Sequence, residues 1–444
     1  MQAFDPDLFA NNFNRSIDKY FFNAYSFGFA YMDAIYEAGL SASEILFSVG
    51  EKPSRAKKIR NLVRSSFDAN LRNALEQESM AEKLSNFVKS SSQFARIYGF
   101  DTMCGQIMNF YSFLSNFMEP FRDGLNRTPS KIIPMEGRFD LLHFDSKVRP
   151  KHDTPILVVG SLINRHYILD LLPKISIIGQ FQNRGFDVYA TDWRTPTTYD
   201  KDLTLDDYAH DYIENAVEKI KEITGSEKVT LFGYCWGGIF SLIYTAMHQE
   251  NVKNLILHAT PTDLENEPTT IEIWTKHLDA DDLVHTFGNV PAIFLNMAFW
   301  MRSPVESATK YVRYFSEPRT IDEVMEFFAI ENWLYDSRAI IGEVFKEIVN
   351  NVYKKNLLIK NKMEVGGNLV DLKKITVPFL NIIGERDDLV PPSSSRTVMN
   401  VVGSEDKRQI EFPTGHVGLC ISAEAHEKLW PDVSDWIAKR SQSS

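Results

Sequence analysis

The sequence has few cysteines, no excess of basic residues and no long apolar run, and each absence excludes a class of protein. Three cysteines in 444 residues are too few, and odd in number, for a disulfide framework, so we expect reduced thiols and a cytoplasmic protein. A formal net charge of −11 argues against a nucleic-acid binder, which needs a basic face for phosphate contacts. No apolar stretch reaches the roughly 18 residues that span a bilayer. The first residues also lack the basic start and apolar run of a secretory signal.

The distribution of residue types divides the chain into two parts. Residues 1–130 carry apolar and aromatic side chains at helical spacing and predict an N-terminal helical region. From 131 to 444, short apolar runs alternate with helical segments, which predicts an α/β catalytic domain built on a doubly wound, mostly parallel sheet. The predicted strands are residues 139–144, 155–161, 187–192, 228–233, 252–259, 378–383 and 408–412, and the clearest helices are 204–224 and 238–248.

One interval, residues 262–375, interrupts this alternation. It lacks a clear β-α repeat and is rich in aromatic residues, among them Trp274, Trp300 and Trp333. Because a structureless loop of this length is rare inside a compact domain, we predict a folded, largely helical cap inserted over the active site.

A cysteine lies at the centre of the segment Gly233-Tyr-Cys235-Trp-Gly237, between a predicted strand and a predicted helix. This is the nucleophile-elbow layout of the α/β-hydrolase fold, with Cys where Ser is usual. The turn would hold the sulfur at the positive end of the following helix, which favours the thiolate. Taken alone, the motif leaves an inert core cysteine as an alternative.

Two further residues follow in the order that this fold uses, which is nucleophile, acid and histidine. Asp387 and Asp388 both follow predicted strand 378–383, and we favour Asp387 because it begins a D-x-x-V-P pattern. His416 lies in the loop after the last predicted strand. Three such residues, each at a strand end and in this order, rarely coincide by chance. We therefore predict Cys235, Asp387 and His416 as a catalytic triad, with no metal.

The tetrahedral intermediate of acyl transfer requires two main-chain N–H donors beside the nucleophile. Trp236 directly follows Cys235 and supplies one of them. The loop after predicted strand 155–161 supplies the other, and Asn164 is our candidate within it.

Several motifs of the chain occur together in one known family. They are Leu162-Ile-Asn-Arg-His-Tyr-Ile-Leu-Asp170, Asp192-Trp-Arg, Gly233-Tyr-Cys-Trp-Gly-Gly238, Asp387-Asp-Leu-Val-Pro-Pro392 and Gly415-His-Val-Gly418. With these motifs the sequence resembles the polyhydroxyalkanoate synthases from about residue 155 to its end. It is most similar to the catalytic subunit of the two-component, or class III, branch. Two departures are Asp388, where the family commonly has His, and the N-terminal helical region, which is longer than the usual lead-in.

The resemblance implies an acyltransferase that polymerises (R)-3-hydroxyacyl-CoA into polyhydroxyalkanoate and releases CoA through a covalent acyl-cysteine. It assigns Cys235, Asp387 and His416 as nucleophile, acid and histidine, and it supports Asn164 in the oxyanion hole. No cofactor is implied, because the substrate itself carries coenzyme A. The implied partners are the growing polyester and the granule surface in the cytoplasm, a companion synthase subunit, and a homodimeric or hetero-oligomeric assembly.

Two other functions remain open on the sequence. A thioesterase or a depolymerase-like hydrolase of the same fold would use the same triad, with water instead of a hydroxyl as the acyl acceptor. A non-catalytic granule scaffold could use the aromatic N-terminal helices for contact, but a complete triad disfavours this function.

Overall fold

A computed structural model describes residues 127–146, 150–265, 269–302, 310 and 321–441 of the chain. The predicted N-terminal helical region lies outside the described residues, except for its last four positions. The chain divides into two units, of which one combines residues 122–295 with 333–444 and the other combines 1–121 with 296–332. In the described part of the latter, Lys310 Nζ pairs with Glu331 Oε1 at 2.7 Å. The predicted domain boundaries at 130, 262 and 375 stay predictions.

The elements have the following bounds. The strands are β1 Ser130–Pro134, β2 Phe139–Phe144, β3 Ile156–Val159, β4 Asp170–Leu172, β5 Ile175–Ser176, β6 Val188–Trp193, β7 Val229–Tyr234, β8 Val252–His258, β9 Met363–Val365, β10 Asn368–Val370, β11 Phe379–Gly384 and β12 Lys407–Phe412. The α-helices are α1 Ile177–Asn183, α2 Tyr212–Thr224, α3 Trp236–His248, α4 Thr270–His277, α5 Ala280–Phe287, α6 Ala292–Arg302, α7 Ile321–Tyr335, α8 Gly342–Glu347, α9 Pro392–Arg396, α10 Gly418–Ile421 and α11 Trp430–Ala438. π-Helical turns cover Asp207–Asp211, Ile348–Lys354 and Ala425–Leu429.

Eight strands form one sheet in the order β1-β2-β6-β3-β7-β8-β11-β12. The pairs β1–β2 and β2–β6 are antiparallel, and the remaining pairs, from β6 to β12, are parallel. The predicted mostly parallel sheet is thereby confirmed, and each predicted strand is present to within two residues at either end. Since the carboxyl ends of parallel strands share one edge of the sheet, residues that follow β3, β7, β11 and β12 are gathered there.

The burial of the strands explains why this order forms. Every residue of β3, β7 and β11 is buried, as a parallel sheet covered on both faces requires. Helix α3 is buried along nearly its whole length and lies against β7 and β8. The elbow that joins β7 to α3 is therefore held between two fixed elements of the core.

The predicted cap interval, residues 262–375, is largely helical where it is described. Helices α4 to α8 and the hairpin β9–β10 lie within it. Within the described ranges, none of the helices combines the length and apolarity that crossing a membrane requires.

Candidate active site

Cys235 lies at a sharp turn between the last residue of β7 and the first residue of α3. Its backbone has φ 53° and ψ −120°, a conformation that residues other than glycine rarely adopt. Such a conformation costs about 1–3 kcal/mol. The Cys235 N–H donates to the carbonyl oxygen of His258 at the end of β8 over 2.9 Å, and this bond fixes the turn against the sheet. The strained backbone presents the sulfur at the N-terminus of α3, as the elbow motif predicted.

Glycines make the turn possible by allowing close approach of the main chain. A Cβ atom added at Gly233 would overlap the backbone of Gly238. One at Gly237 would overlap the carbonyl oxygen of Val159, and one at Gly238 would overlap the side chain of Thr260. The flanking small residues of the motif are therefore required by packing on three sides.

His416 and Asp387 lie next to each other in the loops that follow β12 and β11. The Nδ1 atom of His416 is 2.7 Å from Oδ2 of Asp387, and both residues are buried. The other carboxylate oxygen, Oδ1, accepts the N–H groups of Leu389 and Val390 at 2.9 and 2.8 Å. These two amides fix the orientation of the carboxylate, so that Oδ2 is left to orient the imidazole.

The side chain of Cys235 lies near enough to the imidazole of His416 to affect its pKa, so the structure brings the three predicted triad residues together. Burial by itself lowers the pKa of His416. The negative charge and hydrogen bond of Asp387, with the contribution of Cys235, outweigh burial and raise that pKa to about 10. The site therefore strongly favours an imidazolium at His416, next to the carboxylate of Asp387.

The two predicted oxyanion residues occupy different surroundings. Trp236 begins α3, and its indole Nε1 donates to the hydroxyl of Tyr353 at 3.0 Å. Asn164 lies in the loop after β3, where its side-chain amide donates to Leu334 O and Ser337 Oγ, each at 3.1 Å. Within the described part of the chain, no hydrogen bond joins Asn164 to the triad, and its role as a main-chain donor stays a prediction.

Known proteins with similar sequences bear on this arrangement. Residues 155–420 match the family described as the alpha/beta hydrolase fold, and residues 117–181 match the one described as the N-terminus of poly-beta-hydroxybutyrate polymerase (PhaC). Poly(3-hydroxyalkanoate) polymerase subunit PhaC of Haloferax mediterranei is 40% identical over 72% of this chain and 65% of its own length, slightly less than two thirds. The proteins of the same name from Haloarcula marismortui and Allochromatium vinosum are 39% and 35% identical. They cover 72% and 70% of this chain and 70% and 89% of their own lengths.

The chain belongs to the poly(3-hydroxyalkanoate) polymerase family. The resemblance to the polyhydroxyalkanoate synthases that the motifs indicated is confirmed, as is the α/β-hydrolase fold. Membership also confirms the class of the protein, because the relatives are named as polymerases and a polymerase of this kind is an acyltransferase.

In this poly(3-hydroxyalkanoate) polymerase family member, a layer of buried polar residues behind the triad was not predicted from sequence. Tyr234 packs its ring 5.5 Å from that of His416 and lies near the Cys420 thiol. Burial raises the pKa of both the Tyr234 phenol and the Cys420 thiol, so neither ionises near neutral pH. The only sequence signal for this layer was the position of Cys420, four residues after His416.

His258 belongs to the same layer and behaves differently from His416. It is fully buried, and in the described part of the chain neither of its ring nitrogens has a hydrogen-bond partner. Burial, and then the charge of His416, holds its pKa well below 6.5. The His258 ring is therefore neutral and leaves the triad as the charged group of the site.

In the part of the chain that the structure describes, no three His, Cys, Asp or Glu side chains are grouped closely enough to hold a metal ion.

Proposed function

We propose that this chain polymerises (R)-3-hydroxyacyl-CoA into polyhydroxyalkanoate and releases CoA through a covalent acyl group on Cys235. The observation that supports this most directly is the hydrogen-bonded pair of Asp387 and His416 beside Cys235 at a strained elbow, in a member of this family. Asp387 orients and charges the imidazole, His416 carries the proton, and Cys235 carries the acyl group.

In the first half of the reaction, the Cys235 sulfur attacks the thioester carbonyl and forms a tetrahedral oxyanion. The main-chain N–H groups of Trp236 and Asn164 would stabilise this charge. When the C–S bond to coenzyme A breaks, the proton on His416 passes to the leaving thiolate. One thioester is exchanged for another, so the acyl group on Cys235 stays activated.

In the second half, a 3-hydroxyl group attacks the acyl-Cys235 thioester. His416 takes the hydroxyl proton, an ester bond forms, and the Cys235 thiolate is released next to the imidazolium. Water would divert this step to hydrolysis. Cys235 and His416 are each only 7% exposed, which supports transfer to a hydroxyl by limiting the access of water.

The two described cysteines offer a matched test of the nucleophile. Both Cys235 and Cys420 are buried. Purified protein is mixed with 3-hydroxybutyryl-CoA while released CoA and turbidity are recorded together. We expect Cys235→Ala to abolish both signals and Cys420→Ala to retain them. CoA release with free acid and no polymer would instead identify a hydrolase, and full polymer synthesis by Cys235→Ala would refute the mechanism.

The assembly and location of the chain are part of the same proposal. Several relatives are named as polymerase subunits, which supports a companion subunit for this chain and a homodimeric or hetero-oligomeric assembly. Because the product is an insoluble polyester that grows on the enzyme, we place the chain in the cytoplasm at the granule surface. Light scattering of the protein purified from its own host measures the assembly, and sedimentation with isolated granules measures the location. A free monomer absent from granules would contradict both.

A further inference from the structure

A tyrosine of the predicted cap interval reaches the residue next to the nucleophile. Tyr353 lies on the π-helical turn Ile348–Lys354 that continues α8. Its hydroxyl oxygen accepts the indole N–H of Trp236 at 3.0 Å, and the two rings are 6.3 Å apart. Because Trp236 directly follows Cys235, this contact brings a phenol close to the reacting sulfur.

The phenol stays protonated beside the site. Burial raises the pKa of Tyr353; the hydrogen bond from Trp236 opposes this increase, and the negative charges of Cys235 and Glu272 add to it. Tyr353 is therefore a neutral hydrogen-bond donor near neutral pH.

The hydrogen-bonding capacity of this phenol is only half used. A tyrosine hydroxyl can donate one hydrogen bond and accept others. Its oxygen accepts from Trp236, but among the described residues no acceptor takes its proton. A phenol that served only to accept the indole N–H would leave a buried donor unsatisfied, at a free-energy cost. An acceptor supplied by the substrate would remove this cost.

We propose that Tyr353 donates its hydroxyl proton in a hydrogen bond to the 3-hydroxyl oxygen of the acyl group on Cys235. This assignment rests on the proposed function. The carbonyl oxygen of that acyl group already has two main-chain donors in the mechanism above. The 3-hydroxyl is the next polar atom of the substrate, and only three carbon atoms separate it from the sulfur. Tyr353 thus selects 3-hydroxyacyl groups over plain acyl groups.

The test compares two thioesters that differ only in this hydroxyl. Single-turnover release of CoA from 3-hydroxybutyryl-CoA and from butyryl-CoA is measured for the wild-type protein and for Tyr353→Phe. Loss of one neutral hydrogen bond is expected to slow acylation by the hydroxy substrate roughly tenfold, with butyryl-CoA little changed. Since both rates come from one protein preparation, a smaller folded fraction cancels from their ratio.

Tyr244→Phe is the matched control, because it removes a buried phenol on α3 whose hydroxyl donates to Glu214. We expect it to leave the ratio of the two rates unchanged. An equal loss on both substrates in Tyr353→Phe, or no loss on either, would overturn the assignment. So would a wild-type protein that shows no preference for the hydroxy substrate, and this measurement does not depend on any variant folding. A wild-type protein that releases CoA from neither thioester would instead refute the proposed function itself.

Discussion

Replacing Asp387 with Asn removes one charge from the triad and changes almost nothing in shape. In the native carboxylate, Oδ1 accepts two main-chain N–H groups and Oδ2 faces His416 Nδ1 at 2.7 Å. An asparagine can satisfy the two amides only with its single oxygen, so its NH₂ group must face the imidazole. His416 then has to accept at Nδ1 and carry its proton on Nε2. In that tautomer it cannot take a proton from Cys235.

The size of the effect follows from the electrostatics of the site. In the native protein Asp387 is the main reason that the pKa of His416 is about 10, because burial alone would hold it below 6.5. The interval between 10 and 6.5, to which Cys235 also contributes, corresponds to roughly 5 kcal/mol of stabilisation of the imidazolium, and this is the upper bound for the loss of Asp387 alone. Since His416 becomes an imidazolium whenever it holds the proton of the nucleophile or acceptor, we expect acylation to slow by roughly three to four orders of magnitude.

The measurement is single-turnover release of CoA from 3-hydroxybutyryl-CoA by the wild-type protein and by Asp387→Asn. Asp388→Asn is the matched control, because it removes the adjacent carboxylate by the same isosteric change, and we expect little effect from it. Thermal unfolding of all three proteins verifies that they are folded. The expected loss of transition-state stabilisation in Asp387→Asn is several kcal/mol. An acylation rate within about tenfold of wild type would therefore refute this account of the triad. A loss in Asp388→Asn as large as that in Asp387→Asn would refute the choice of acid.

Two further predictions concern stability. Burial raises the pKa of Glu272 from 4.5 to about 7, because the folded protein favours the neutral carboxyl group. The contribution of this neutral group to the free energy of unfolding is full below pH 4.5 and is lost as pH rises through 7. Glu272→Gln, which cannot ionise, should therefore gain stability over wild type at about pH 8 but hardly at about pH 5 in urea unfolding; an equal difference at both would contradict the shift. Gly237→Ala places a Cβ against the carbonyl oxygen of Val159 and should lower the free energy of unfolding by about 3 kcal/mol. Gly160→Ala, whose Cβ would meet the nearest neighbouring atom at 3.4 Å, is its control, and equal losses in both would refute the packing argument.

The sequence predicted most of the sheet because the information for a buried parallel strand is local. A short apolar run bounded by polar or glycine residues is sufficient, and β3, β7 and β11 have this form. β1 was missed for the opposite reason. It is an antiparallel edge strand whose residues are mostly exposed, including Ile132 at 64%, so its composition resembles that of a loop.

The hairpin β9–β10 was also missed, although its signal is present in the chain. Gly366 and Gly367 both have positive φ angles, 56° and 77°, as a two-residue turn with right-handed strand twist requires. A Gly-Gly pair between short runs such as Met363–Val365 and Asn368–Val370 is a recognised hairpin pattern. The long aromatic interval around it favoured a helical prediction and obscured this local pattern.

The triad residues were predictable as candidates, but their contacts were not. Chain order and strand ends located Cys235, Asp387 and His416, since this fold fixes the order of the three residues. The hydrogen bond between Trp236 and Tyr353 joins residues 117 positions apart. No periodicity or motif connects such a pair, because the contact depends on how the interval after β8 folds back towards the elbow.

The contacts of the site separate its chemistry from its specificity. The nucleophile, acid and base are held by the sheet and its loops, through the His258 carbonyl behind Cys235 and the two amides that bind Asp387. In contrast, Tyr353, which contacts Trp236, and Ser337, which contacts Asn164, both come from residues 262–375. Replacing that interval would therefore leave the proton-transfer chain intact while changing the donors around the acyl group. We infer that the choice between a hydroxyl and water as the acceptor depends on the interval and not on the triad.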